Sequence, residues 1–126
     1  MIVDKKTAII ICTDYANGKK HDFRLFKDSK VHINPTIQVL TDTGYLGLDK
    51  IHSNTFMPKK KSKKNPLTML DKINNREISK NRVLNENVIA MIKRFKIVAD
   101  RYRNRRKRFG LRFNLISGIY NFELKN

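Results

Sequence analysis

The sequence predicts an α/β fold for this 126-residue chain. Short β-rich runs dominate the first half, an apolar stripe at helical spacing marks the second half, and another helical pattern ends the chain. The predicted order of elements is strand, strand, short helix, strand, short helix, strand, basic loop, long helix and helix. A chain of this length can build one modest core, so we expect a single domain.

Four runs carry the β-branched and apolar residues that favour strands. They are Met1–Val3, Ala8–Thr13, Thr36–Thr41 and Thr55–Met57. Only Asp4–Thr7 separates the first two runs, which predicts a hairpin without fixing its turn type. The third run has apolar residues at alternate positions and delivers Asp42 to its C-terminal end. Gly44 and Gly47 then allow a tight reversal of the chain.

Capping residues mark the starts of two predicted helices. Asp22 is the N-cap candidate of a short helix over Asp22–Ser29, which follows a turn at Asn17-Gly18. Thr68 is the N-cap candidate of a long helix, with Asp71 three residues later in its first turn.

The long helix carries the clearest periodicity in the chain. Its apolar stripe comprises Leu84, Val88, Met91, Ile92 and Phe95. Glu86 lies roughly 200° from Leu84 at about 100° per residue, so it faces away from the stripe together with Arg82 and Lys93. The last helix is also predicted to be amphipathic. Its apolar residues at helical spacing are Phe109, Phe113, Ile116 and Tyr120.

The charge balance narrows the class of partner. Lys and Arg number 28 against 11 Asp and Glu, which gives a net charge of +17 and a pI of about 10.3. Such a surface attracts polyanions, and DNA is the expected partner. The longest apolar run, Ala8–Cys12, is far below the roughly 20 residues that span a bilayer, so we expect a cytoplasmic, nucleoid-associated protein. Cys12 stands alone and is expected to be a buried structural thiol.

Two basic stretches are predicted to contact DNA phosphates. One is the lysine run Lys59–Lys64, which is predicted to be a mobile loop, and the other is the arginine-rich segment Arg101–Arg108 around Tyr102. The predicted DNA-binding residues are Lys59, Lys60, Lys61, Lys63, Lys64, Arg82, Lys93, Arg101, Arg103, Arg105, Arg106, Lys107 and Arg108. Composition equally fits a small non-catalytic binder of ribosomal or nucleoid type.

Two acids are candidate ligands for a metal or substrate, and each also has a plainer structural interpretation. Asp42 ends a strand, where α/β sheets bind ligands and metals, or it only accepts hydrogen bonds within the Gly44 turn. Glu86 is a candidate ligand on the long helix, or it pairs with Arg82 at i, i+4 on a solvated face. Among the other residues, the histidines stand singly, and no phosphate-binding loop or nucleophile elbow is present.

Several segments together resemble the C-terminal portion of bacterial insertion-sequence DDE transposases, the group related to Harbinger elements. The matching segments are Gly18–Phe26 (GKKHDFRLF), Asp42–Gly47 (DTGYLG), Pro58–Lys61 (PKKK), Asn75–Ser79 (NREIS), Glu86 with Lys93–Phe95 (KRF), and Tyr102–Gly110 (YRNRRKRFG) running to Tyr120-Asn121. The resemblance covers nearly the whole chain, residues 1–126, as the C-terminal part of a catalytic domain.

The resemblance implies an RNase H-like fold in which three carboxylates hold two divalent cations, Mg²⁺ or Mn²⁺. By matched position, Asp42 is the second acid and Glu86 the third, and both are catalytic metal ligands. The implied activity is cleavage of a DNA phosphodiester and transfer of the new 3′ hydroxyl to target DNA. Carboxylate oxygens suit Mg²⁺, and two such ions stabilise the entering and leaving oxygens.

This chain departs from the family pattern at the first of the three acids, for which it has no matching residue. In the family this acid lies on the first strand of the sheet, upstream of the segment that resembles Met1–Thr13. Asp4 falls in the predicted hairpin turn and Asp14 ends a later strand, so neither replaces it. We therefore expect a truncated transposase, or the downstream partner of a split reading frame, that lacks the first strand and is inactive alone. The isolated chain is expected to be marginally stable or to self-associate, because the missing strand leaves apolar faces and backbone groups uncovered. An upstream transposase polypeptide is the expected partner that supplies the missing strand and first Asp.

Affinity for DNA should fall steeply as salt concentration rises, because Lys59–Lys64 and Arg101–Arg108 are expected to contact phosphates with little base selectivity. Binding of a duplex measured over a series of salt concentrations checks this. Equal affinity at low and high salt contradicts it.

Overall fold

Short strands and helices build the computed structural model, which describes residues 1–101 and 108–126. The strands are β1 (Ile2–Val3), β2 (Ile10–Cys12), β3 (Val39–Leu40) and β4 (Thr55–Phe56). The α-helices are α1 (Asp22–Asp28), α2 (Met69–Lys93), α3 (Lys96–Ala99) and α4 (Phe109–Leu124), and 3₁₀ turns cover Thr43–Tyr45 and Leu48–Lys50. The predicted α/β class is confirmed as a mixed architecture of small sheets and helices.

The chain divides into two compact units. The first consists of Met1–Tyr15 with Val83–Asn126, and the second of Ala16–Arg82. Within the described residues, β1 pairs with β2 antiparallel and β3 pairs with β4 parallel. These are two separate two-stranded sheets, whereas the RNase H-like fold that the resemblance implies has a mixed sheet flanked by helices.

The β1–β2 hairpin confirms the prediction from the first two apolar runs, and Val3 lies opposite Ile10. Its turn is closed by a side chain. The Asp4 carboxylate accepts hydrogen bonds from the backbone N–H of Thr7 at 3.2 Å and from the Thr7 hydroxyl at 2.5 Å. An Asp can therefore organise this turn without the Asn-Gly pair of the commonest hairpins. Cys12 is half-buried, and burial raises the pKa of its thiol.

The core of the first unit joins β2 to α2 and α4. Its buried members are Ile10, Val88, Ile92, Ile116 and Tyr120. Asn121 hydrogen-bonds both backbone groups of Ile10, accepting from its N–H at 2.9 Å and donating to its carbonyl at 2.9 Å. The Tyr120 hydroxyl donates to the carbonyl of Ala8 at 3.1 Å. α4 thus supplies the partners that a neighbouring strand would otherwise give to this backbone.

The two helical patterns are confirmed as helices, but not every predicted core position is buried. Val88 and Ile92 of the α2 stripe are buried, whereas Met91 is 47% exposed. The interpretation of α4 as amphipathic is wrong in part, because apolar side chains also cover its outer face. These exposed residues are Leu111, Leu115 and Phe122. In the described part of the chain, no helix combines the length and apolarity that crossing a bilayer requires.

The second unit packs around Leu48 and His52, both buried. The His52 ring nitrogen Nε2 lies 2.7 Å from the carbonyl oxygen of Ile37, which makes His52 a satisfied structural residue. Gly47 begins the second 3₁₀ turn with φ 101°, a conformation that L side chains rarely adopt. A Cβ at Gly47 would also lie 3.2 Å from the ring of Phe23, so the predicted reversal requires glycine at this position.

The start of α2 is fixed by a reciprocal capping box, as predicted. The backbone N–H of Asp71 donates to the Thr68 hydroxyl at 3.1 Å, and the N–H of Thr68 donates to the Asp71 carboxylate at 3.1 Å. Hydrogen bonds from Thr68 and from the Lys59 ammonium lower the pKa of Asp71. The two bonds satisfy N–H groups that a helix start leaves without partners.

Replacing Thr68 by Ala should destabilise the fold by about 1 kcal/mol, because the cap oxygen is lost. Chemical denaturation of the wild-type and variant chains measures the difference. Thr68→Ser keeps the hydroxyl and serves as the matched control, so equal losses in the Ala and Ser variants would contradict a capping role.

Candidate functional site

Asp42 lies at the point where β3 ends and the first 3₁₀ turn begins. It is the N-cap of that turn, and its Oδ1 accepts a hydrogen bond from the Gly44 N–H at 2.8 Å. Its Oδ2 faces the guanidinium of Arg82 at 3.5 Å. The hydrogen bond that the plainer interpretation expects, from the Gly44 turn to the carboxylate, is thus present. It accounts for one oxygen only, and the other oxygen already lies beside a cation.

A second carboxylate, that of Asp22, converges on the same glycine. A Cβ built on Gly44 would lie 3.0 Å from Asp42 Oδ1 and 3.1 Å from Asp22 Oδ2. The two carboxylates therefore approach the same side of Gly44 and can be no farther apart than the sum of these distances. A side chain at Gly44 would push these carboxylates away by a few tenths of an ångström, because both distances are shorter than most real Cβ contacts.

Sequence reasoning missed Asp22 as a member of this site. The predicted role of N-cap is wrong, since His21 occupies the cap of α1 without a side-chain hydrogen bond, and Asp22 is the first helical residue. The only signal was the His-Asp pair in the GKKHDFRLF segment, which does not reveal that α1 packs beside the turn after β3. That proximity is a tertiary property of the second unit.

The pKa of Tyr45 is affected by the two negative charges. Burial raises the pKa of its hydroxyl, and the charges of Asp22 and Asp42 raise it further. A phenolate would be repelled by both carboxylates, so the neutral form of Tyr45 is favoured. Both carboxylates thus add negative charge around the Tyr45 hydroxyl.

Arg82 neutralises part of this charge. Its side chain is 34% exposed and that of Asp42 is 40% exposed, so the ion pair contributes only about 0 to 1 kcal/mol. Arg82 faces Asp42 and forms no ion pair with Glu86 at i, i+4, so the plainer interpretation of Glu86 is not what the structure has. The predicted DNA contact through Arg82 is untested, and in this structure its guanidinium faces a carboxylate.

Glu86 lies on α2 with an exposed side chain, as expected for a residue that faces away from the Leu84 stripe. It belongs to the first compact unit and Asp42 to the second. The meeting of these two acids at one metal site stays a prediction. Among residues 1–101 and 108–126, no group of three or more His, Cys, Asp or Glu side chains is placed to hold a metal ion.

Most of the predicted phosphate-binding residues are exposed. They are Lys60, Lys61, Lys63, Lys64, Lys93, Arg101 and Arg108. Lys59 is exposed as well but is tied to α2, since its ammonium lies 3.1 Å from Asp71 and its backbone exchanges two hydrogen bonds with the Asn75 amide. The remaining predicted residues, Arg103, Arg105, Arg106 and Lys107, lie outside the described residues together with Tyr102.

Paired carboxylates within a strongly basic α/β chain combine oxygen ligands for a cation with a surface for polyanions, a combination typical of proteins that process nucleic acids. Residues 1–121 match the family described as DDE superfamily endonuclease, and the chain belongs to this family. This confirms the resemblance to DDE transposases.

A curated relative supports the same family. The chain is 45% identical over 124 residues to a protein named probable transposase for insertion sequence element IS702, from Microchaete diplosiphon. The match covers 98% of this chain and 45% of the relative, so the chain spans about half the length of the relative. No solved structure matches this chain.

Asp42→Asn should lower the pKa of Tyr45, because it removes one of the two negative charges that disfavour the phenolate. The pKa should still stay above its ordinary value, since burial is the larger cause. Absorbance titration of tyrosinate measures this, with a Tyr45→Phe counterpart of each protein to isolate the Tyr45 signal. Asp49→Asn is the matched control, and a Tyr45 titration that is identical in all three proteins contradicts the arrangement.

Proposed function

We propose that this chain is the C-terminal part of an RNase H-like DDE transposase catalytic domain that acts on DNA. Asp42 and Glu86 are its second and third acids, and together with a first acid they hold divalent cations, Mg²⁺ or Mn²⁺. The observation that carries the proposal is the DTGYLG segment. It places Asp42 at the end of a strand, with one carboxylate oxygen fixed by Gly44 and the other facing a positive charge.

The donor chemistry around Gly44 fits a hard cation. Asp42 and Asp22 bring carboxylate oxygens to the same side of one glycine, and Mg²⁺ and Mn²⁺ prefer such oxygens. A divalent cation held there would stabilise the negative charge that develops on the phosphodiester oxygens. Asp22 is an additional oxygen donor beside Asp42 at this point, and the three acids of the proposal are Asp42, Glu86 and a first acid supplied by the upstream polypeptide.

The residues of the chain itself have separable tasks in this proposal. The Gly44 N–H holds the Asp42 carboxylate in one orientation, which lowers the cost of ordering it for catalysis. Arg82 balances the charge of Asp42 and has the geometry to bind a phosphate oxygen instead. The exposed lysines of Lys60–Lys64 offset the repulsion between the carboxylates and the DNA backbone. The reaction proposed is hydrolysis of a DNA phosphodiester by water, which leaves a 3′ hydroxyl. That hydroxyl then attacks a phosphodiester of target DNA, so a new strand joint forms as the target bond breaks and releases a target 3′ hydroxyl.

The chain alone is proposed to be inactive, with an upstream transposase polypeptide supplying the first strand and its Asp. The same proposal places its action in the bacterial cytoplasm, where the target DNA lies. Self-association belongs to the proposal as well, because strands with unpaired edges tend to associate.

A second candidate is a basic DNA-binding protein without catalysis. One observation favours it: within the described residues, Asp42 is fully accounted for by the Gly44 hydrogen bond and the Arg82 ion pair. The catalytic function needs the negative charge of Asp42 for a reaction, and the non-catalytic function does not. A substitution that removes this charge therefore distinguishes the two functions.

Asp42→Asn and Glu86→Gln should each lower Mg²⁺- or Mn²⁺-dependent DNA nicking by more than about 100-fold, beyond the effect of typical outer-shell residues. The assay combines the full chain with a polypeptide that supplies the upstream part of the catalytic domain. Asn at position 42 keeps an oxygen for the Gly44 N–H, so the turn should persist.

Asp49→Asn and Glu77→Gln are the matched controls, since both acids are exposed and have no proposed role. Nicking that survives Asp42→Asn at the level of the controls would show that the reaction does not need the Asp42 charge and would overturn the assignment of Asp42 as a metal ligand.

A further inference from the structure

An open groove lies beside α1 in the second compact unit, with a volume of about 680 Å³. We call it the α1 groove. The lining residues that matter here are His21, Phe23, Arg24, Lys27, Asp28 and Gly44. None of the basic residues among them belongs to the lysine run or to the arginine-rich segment, so the groove is a separate feature of the surface.

One side of the groove is a row of nitrogen donors. His21, Arg24 and Lys27 follow at three-residue spacing, which places them on one face of α1. Arg24 and Lys27 form no ion pair with any described residue. The Lys27 ammonium lies 4.7 Å from the centre of the Phe23 ring. This cation–π contact holds the ammonium at the groove wall.

Asp28 is the one acid among these lining residues, and it forms no ion pair with Arg24 or Lys27. Its carboxylate is paired with Lys20 at 2.5 Å. The hydrogen bond from Lys20 lowers the pKa of Asp28, and the charges of Lys20, Arg24 and Lys27 lower it further. Because Lys20 neutralises Asp28, the positive charges of Arg24 and Lys27 remain available to an anion.

Gly44 connects the groove to the candidate catalytic acid. It lines the groove, and its N–H holds the carboxylate of Asp42. A row of cations thus adjoins a pair of carboxylates, with one glycine between them. A strand of DNA held along the cations would lie beside the turn that carries Asp42.

We propose that the α1 groove binds backbone phosphates of the DNA strand next to Asp42, with Arg24 and Lys27 as the phosphate ligands and His21 as a further N–H donor. This inference rests on the proposed function. Arg24 can bind two phosphate oxygens at once, and Lys27 acts as a point charge. Ligand sites typically measure about 300 to 1,000 Å³, and the open groove exceeds what one phosphate fills, so a stretch of backbone is the fitting ligand.

The test compares two double variants of the full chain that lose the same positive charge. Arg24→Gln/Lys27→Gln removes the groove cations, and Lys5→Gln/Lys50→Gln removes two exposed lysines elsewhere. Binding of a short fluorescent duplex is measured by anisotropy over a salt series in EDTA. The groove variant should lower the magnitude of the log–log salt slope by about 1.8, from about 0.9 for each phosphate contact, and the control should leave it nearly unchanged. All four side chains are exposed, and matching thermal melts verify that both variants fold.

A second readout is local. Lysine acetylation of the wild-type chain, mapped by mass spectrometry with and without the duplex, should show protection of Lys27 and none of Lys50. Inorganic phosphate at the same phosphate concentration should not reproduce this protection, because a single phosphate lacks the neighbouring contacts. Equal slopes in the two variants, unprotected Lys27, or equal protection by inorganic phosphate each overturn the proposal.

The outcome is independent of the catalytic proposal, since the binding measurements contain no divalent cation. If Asp42→Asn abolishes nicking while the two double variants bind alike, the groove inference fails and the catalytic proposal stands. If the groove variant loses its phosphate contacts while Asp42→Asn leaves nicking unchanged, the groove is a DNA site on a non-catalytic surface.

Discussion

The hydrogen bond from the Gly44 N–H to the Asp42 carboxylate is the contact on which the candidate site depends. It ends β3, begins the following turn and fixes the orientation of the carboxylate. The absence of a side chain at Gly44 leaves room for Asp22 to approach from α1. Since the bond uses one oxygen of Asp42, the other remains directed at a cation, which is Arg82 in this structure.

In the second unit, acidic and basic side chains form separate clusters that lie close to each other. The excess of basic residues predicts only that the surface attracts polyanions, whereas the structure shows where acids and bases meet. Carboxylates gather at Gly44, the cations of α1 line the adjoining groove, and Lys59 is tied to the start of α2. A phosphodiester backbone is attracted by the surrounding cations and repelled at the acids, so the charge pattern itself favours a particular path for a bound strand.

Features set by neighbouring residues could be predicted from the sequence, and features set by packing could not. The Thr68 capping box and the β1–β2 hairpin follow from residues a few positions apart, and both are confirmed. The exposed Met91 and the carboxylate of Asp22 at Gly44 depend on which elements pack together. Periodicity assigns a side chain to a face of its helix, but it does not say whether another element covers that face.

Because Arg82 balances the charge of Asp42, the turn after β3 can form without a bound ion. In proteins whose ligands are uncompensated, metal binding supplies the free energy of folding, and chelators unfold them. Here a guanidinium supplies the opposite charge from within the chain. A divalent cation bound at the proposed site would therefore take the place of Arg82 as the positive partner of Asp42.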